Sequence, residues 1–220
     1  MPFFKTIKNT DGQIGLWKFT ENINELHLQA NLTKKETTQL QNIHAERRQK
    51  EFLAVRTLLK KMLDNTISIR YADNGKPILE ESPLNISISH SADFACIFLS
   101  TKNIGIDVEQ INRKTDKIAP RFLHPREIDF IEKLKNRQLA RIVFWSAKEA
   151  IYKCAGLENI QFNKMILIHP FDIEKKQEFT AQLNFERKIL NFRLNFTQIK
   201  NNVLVYAVHD KKNKNETVHG

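Results

Sequence analysis

The stretch "NIGIDVEQINR", residues 103–113, decides how the chain is read. Ile104, Ile106 and Val108 alternate with Gly105, Asp107 and Glu109, the period of a strand with one apolar face and one face bearing two carboxylates. Side chains at i and i+2 lie about 6.5–7 Å apart along a strand, so Asp107 and Glu109 can reach one ion from that face. Two carboxylates so close are costly unless a cation or a basic side chain partners them. A bare D-x-E is more often a solvated strand edge or an ion-pair site for nearby lysines, and both readings stand here. With oxygen ligands in view, a bound cation is Mg²⁺, with Mn²⁺ as the alternative, rather than Zn²⁺.

Upstream, "NISIS" and "DFACIFLS" read as strands joined by "HSA", and "DNGKPIL" reads as a turn with Gly75 at the positive-φ position. Residues 34–63 carry Leu40, Ile43, Phe52, Val55, Leu58, Leu59 and Met62 at helical spacing, with a break near His44. Downstream, "REIDFIEKLK" and "RIVFWSAKEAIYKCAG" are helical, the second closed by Gly156. From Phe162 onward "KMILIHPFDI", "FTAQLNFE", "ILNFRLNFTQI" and "NVLVYAVHD" read as antiparallel strands. Helices and strands in each half predict an α+β fold of two similar lobes, residues 1–102 and 103–210. Residues 211–220 read as a polar tail, expected to be disordered.

The 220 residues are 41% hydrophobic and 27% charged, which suits a soluble globular protein. No apolar run reaches the roughly 18 residues of a membrane span, and the start lacks a signal peptide's apolar core. A cytoplasmic protein with no membrane partner is expected, its two cysteines reduced and buried. The net charge of +10 favours anionic partners: nucleic acid, acidic proteins or phosphorylated small molecules.

On a helix, Glu149 and Lys153 are i, i+4 neighbours and Trp145 shares their face, with Lys148 on an adjoining one. Taken alone, this is equally a surface salt bridge worth a few tenths of a kcal/mol. His90 between two serines, Lys76 in its turn and Arg56 midway along an apolar-faced helix are modest signals singly. Their order along the chain is more specific.

The series "FLAVR", "NGKP", "NISISHS", "IGIDVE", "RFLHPRE" and "FWSAKEAIYK" resembles the Sfp-type 4′-phosphopantetheinyl transferases over roughly residues 40–156. The resemblance implies two pseudo-symmetric lobes, each with helices packed on a small antiparallel sheet, and coenzyme A in the cleft between them. It implies Mg²⁺ on Asp107, Glu109 and Glu149, and Lys153 against the coenzyme A phosphates. Lys76, Ser89 and His90 of "SHS", and the helix residue Arg56 would bind the coenzyme. Arg56 follows Val55 where relatives have Gly. Glu127 matches a further acidic position near the metal centre, and either it or Glu149, directly or through a metal-bound water, would serve as the base. The reaction implied is transfer of 4′-phosphopantetheine from coenzyme A to a serine of an acidic apo acyl or peptidyl carrier protein, releasing 3′,5′-ADP. A monomer that binds no nucleic acid is expected. The alternatives are a non-catalytic relative that only binds coenzyme A or carriers, and a metal-dependent nuclease.

Overall fold

The computed structural model describes residues 4–63 and 67–210, so the 211–220 tail lies outside the described residues. The chain opens on a hairpin of β1 (Phe4–Asn9) and β2 (Gly12–Lys18), which the sequence pattern left unread. Helices α1 (Ile23–Ala30), α2 (Lys34–Gln41) and α3 (Glu46–Met62) follow. Capping boxes at Asn22/Glu25 and Thr33/Glu36 start the first two, each satisfying otherwise orphaned amides. The predicted break near His44 is the gap between α2 and α3. Strands β3 (Ile69–Tyr71) and β4 (Pro77–Leu79) flank a turn whose Gly75 has φ 77°. Strands β5 (Asn85–His90) and β6 (Phe94–Ser100) complete a four-stranded antiparallel sheet, ordered β1-β2-β6-β5.

The chain enters a second sheet at β7 (Ile104–Gln110). Helices α4 (Ala119–Phe122), α5 (Pro125–Ile131), α6 (Arg137–Ala155) and α7 (Phe162–Met165) intervene. Strands β8 (Ile166–Ile168), β9 (Glu178–Phe185), β10 (Lys188–Ile199) and β11 (Asn202–His209) then close the sheet in the order β7-β11-β10-β9-β8. "KMILIHPFDI" keeps only Ile166–Ile168 as strand, because Phe162–Met165 turn into α7. Among the described residues no helix is long and apolar enough to cross a membrane.

Three apolar clusters stack these layers. Trp17, Ala95, Ile97 and Leu99 pack with Leu53, Ala54 and Leu58 of α3 on one side of the first sheet. Ile14, Leu16, Cys96 and Phe98 on its other face meet Ile104, Ile106 and Val108 of β7 with Leu204 and Tyr206 of β11. Beyond the second sheet, Val143, Ala147, Ala150 and Ile151 of α6 join Val203, Val205 and Ala207 of β11. The alternation in "IGIDVE" thus has a specific cause. Its apolar face fills the space between the sheets, and its other face, with Gly105 and Asp107, meets α6.

Gly105 is what lets that helix in. A Cβ there would lie 1.9 Å from the Ala150 carbonyl oxygen and 2.7 Å from the Cys154 nitrogen. Both are backbone atoms and cannot rotate aside. Gly105→Ala is expected to cost about 1–3 kcal/mol by overpacking and to separate β7 from α6, read as a lower denaturation midpoint.

Candidate active site

The approach of α6 to β7 at Gly105 brings the polar face of the helix over the two strand carboxylates. Lys153 Nζ donates to Asp107 Oδ1 at 2.8 Å, to the Ile106 carbonyl at 3.0 Å and to Ser89 Oγ at 3.1 Å. Trp145 Nε1 donates to Glu109 Oε1 at 3.0 Å, and Arg113 pairs with the same oxygen while lying 4.8 Å over the Trp145 ring. Glu149 lies between Trp145 and Lys153 on α6 and feels the charges of Asp107, Lys153 and Arg113.

The electrostatics are those of a crowded anionic site. Burial, then the Asp107 charge, pushes the Glu109 carboxyl up to about 7 against the pull of Arg113 and Trp145. Burial and Asp107 raise Glu149 in the same order. Burial works against the Lys153 ammonium, yet Asp107 and Glu149 together hold its pKa above the ordinary lysine value. Asp107 is 4% exposed, and its Oδ2 is buried without a hydrogen-bond partner. Among the described residues no three His, Cys, Asp or Glu side chains converge on one metal-sized volume, since Lys153 and Arg113 draw Asp107 and Glu109 to themselves. A buried, unpartnered carboxylate oxygen beside two carboxylates of raised pKa is nevertheless the deficit a divalent cation relieves. The residues fit one.

A cavity of about 310 Å³ runs from Lys153 past the C-terminal end of α6 to the Gly75 turn. Lys76, His90, Tyr152 and the exposed Tyr71 line it. Gly156 caps α6 in the left-handed region, φ 62°, and a Cβ there would sit 3.2 Å from Lys76 Nζ, so the lysine lies over the helix end. That places a cation where the helix dipole favours one. His90 Nε2 is 3.2 Å from Arg48 Nη1 and 3.3 Å from Glu51. Burial, outweighing the opposing pull of Glu51, holds the His90 pKa below its ordinary value.

Asp107, Glu109, Glu149, Lys153, Lys76 and His90 are therefore gathered in one region. Two other candidates, Arg56 and Glu127, stand elsewhere, and Ser89 lies at the site but outside the cavity lining. Arg56 is 2% exposed, lies 3.6 Å over the Phe52 ring near Glu36, and is not among the residues lining the cavity. Glu127 is 2% exposed with both oxygens engaged, by Lys148 at 2.6 Å and by the His124 and Ile168 amides at 2.8 Å. Ser89 is buried against Asp107. Conversely, Arg48 and Arg113 touch the site but went unselected. Arg48 lies in "ERRQK", outside the matched motifs, and Arg113 at the end of the decisive stretch.

The family model of the 4′-phosphopantetheinyl transferase superfamily matches residues 103–208. The 4′-phosphopantetheinyl transferase HetI of Nostoc sp. is 31% identical over 163 residues, 66% of this chain and 69% of HetI. A 4′-phosphopantetheinyl transferase of Bacillus subtilis is 33% identical over 93 residues, 41% of this chain and 42% of the relative. A holo-[acyl-carrier-protein] synthase structure from Neisseria meningitidis aligns with 50% of this chain and 98% of its own at TM-score 0.40 and 20% identity. On the HetI match and the family model, the chain belongs to the 4′-phosphopantetheinyl transferase superfamily.

Proposed function

We propose that the protein transfers 4′-phosphopantetheine from coenzyme A to a serine hydroxyl of an acidic apo acyl or peptidyl carrier protein. The observation that carries this reading is the junction of Lys153 with Asp107, beside Glu109 and Glu149, at the inner end of a cavity lined by Lys76 and His90. One end of that arrangement suits a cation and a reacting phosphate; the other suits the remaining phosphates of an anionic nucleotide.

Asp107, Glu109 and Glu149 would hold a divalent cation, Mg²⁺ by the chemistry of the donor set, which when bound offsets pyrophosphate charge. Lys153 stands ready to neutralise charge developing on the departing phosphate. Lys76 and His90, with Arg48 behind it, orient the adenosine-side phosphates. The carrier serine oxygen attacks the phosphorus nearest the pantetheine; the new O–P bond forms as the pyrophosphate O–P bond breaks, and 3′,5′-ADP departs. Glu149 receives the serine proton, since both Glu127 oxygens are already engaged. Two sheets, each backed by one long helix, support lobes of residues 1–102 and 103–210 with the cleft between them. The +10 charge suits an acidic carrier. A cytoplasmic location suits two buried free thiols, and a chain carrying both lobes needs no second subunit to build the site, which suits a monomer.

Release of 3′,5′-ADP, followed chromatographically, is expected only when coenzyme A, divalent cation and an apo carrier are all present. Release without a carrier, or none with any carrier tried, would refute the reading. Glu109 adds a pH signature. Its carboxyl, pushed up to about 7, must lose its proton to bind a cation. Mn²⁺ affinity of the coenzyme-free protein should therefore fall by about tenfold per pH unit below that value. The same shift means that this group's contribution to stability is fully present below the ordinary carboxylate pKa and is lost as pH rises through about 7 in cation-free protein. Mn²⁺ titrations at several pH values check the first, and denaturation midpoints with and without the ion check the second.

A further inference from the structure

Strands β5 and β7 are the edges of two different sheets and share no backbone ladder. An edge strand carries unpaired amides, and burying them unsatisfied is costly. Here two serines on one face of β5 meet that need. Ser87 Oγ accepts from the Ile106 amide at 3.0 Å, and Ser89 Oγ accepts from the Val108 amide at 3.3 Å. The two hydroxyls join the sheets side by side, but only Ser89 has further contacts. It donates to Asp107 Oδ1 at 2.8 Å and accepts from Lys153 Nζ at 3.1 Å.

A serine hydroxyl offers one proton and two lone pairs. At Ser89 all three are used, so the side chain has nothing left for a coenzyme phosphate, and it is not among the residues lining the cavity. Its proton instead fixes Asp107 Oδ1 toward Lys153 and leaves Oδ2 buried and without a partner. The hydroxyl thereby determines which carboxylate oxygen faces the proposed cation.

We infer that Ser89 is a positioning residue for Asp107 and Lys153 rather than a coenzyme contact, whereas Ser87, which joins the seam and lines the cavity, has no hydrogen bond to either of them. This rests on the transferase reading only for its consequence in turnover; the cation and coenzyme measurements are independent of it. Partners that orient a ligand to a metal typically matter by 10- to 100-fold in affinity. Ser89→Ala is expected to weaken Mn²⁺ binding to coenzyme-free protein by about that factor and to lower kcat, while coenzyme A affinity measured without metal stays near wild type. Ser87→Ala is expected to lower the denaturation midpoint but to leave Mn²⁺ affinity in place. Ser89→Cys, which keeps the volume but is a poor acceptor, should lose Mn²⁺ affinity like alanine and covers the case in which Ser89→Ala does not fold. Ser89→Thr, which retains the hydroxyl, should restore it.

Mn²⁺ affinity unchanged in Ser89→Ala or Ser89→Cys, with coenzyme A binding weakened, would overturn the inference in favour of a direct coenzyme contact. Equal Mn²⁺ losses in the Ser87 and Ser89 variants would overturn it in favour of general loosening of the seam. A wild-type protein that shows the Mn²⁺ difference but modifies no carrier would refute the transferase reading and support the positioning role.

Discussion

Glu149→Gln is expected to slow transfer to an apo carrier by about 10²- to 10⁴-fold, the range associated with a positioned acid–base group. The side chain is half-buried on α6, in the field of Asp107 and Lys153. Glutamine keeps its size and helix propensity but can neither accept a serine proton nor carry a charge to a cation. Burial and Asp107 both oppose ionisation of Glu149, so removing the charge relieves repulsion. The denaturation midpoint should hold or rise while kcat falls, and coenzyme A affinity in the absence of metal should change little. A surface i, i+4 pair with Lys153 would behave differently. Its loss costs only a few tenths of a kcal/mol and leaves turnover nearly intact. Steady-state kinetics and thermal unfolding on one preparation separate the two.

Lys148→Met should have the largest effect on stability. Lys148 is fully buried, and burial holds its pKa below the ordinary lysine value despite Glu127. Its three protons go to Glu127 Oε2 at 2.6 Å and to the Phe162 and Ile166 carbonyls at 3.0 and 2.9 Å. Glu127 in turn receives the His124 amide that starts α5 and the Ile168 amide of β8. One ion pair thus ties α5, α6, α7 and β8 together. Methionine would leave the Glu127 carboxylate buried and two carbonyls unmet, at a cost of about 3–5 kcal/mol. Lys148→Met with Glu127→Gln removes the stranded charge and should recover a substantial share in equilibrium denaturation. Glu127→Gln alone, assayed where it remains folded, should keep most of its turnover. Loss of turnover without loss of structure would make Glu127 the base.

The decisive strand was legible because alternation fixes which side chains share a face, while the association of "GIDVE" with "WSAKE" came from the family resemblance and not from their spacing. Gly156, Gly75 and the break near His44 were legible for local reasons of backbone conformation and lost periodicity. Helical spacing placed Lys148 and Lys153 on adjoining faces but could not tell which points inward. That depends on α5 and β8, far away in sequence. The same limit applies to Arg56, which reads as a charge on a helix and lies buried over Phe52. Ser89 carries no sequence mark of its role, because the strand edge it completes belongs to another sheet. The β1–β2 hairpin was missed in a segment with no recognisable motif, although "IGLW" is buried.

The most direct test is intact mass spectrometry of apo acyl and peptidyl carrier proteins incubated with the protein, coenzyme A and Mg²⁺, beside an Asp107→Ala protein and a chelator control. The account predicts a mass gain of one phosphopantetheine on the carrier serine, absent from both controls. An unmodified carrier throughout, with coenzyme A bound by the wild-type protein, would contradict it.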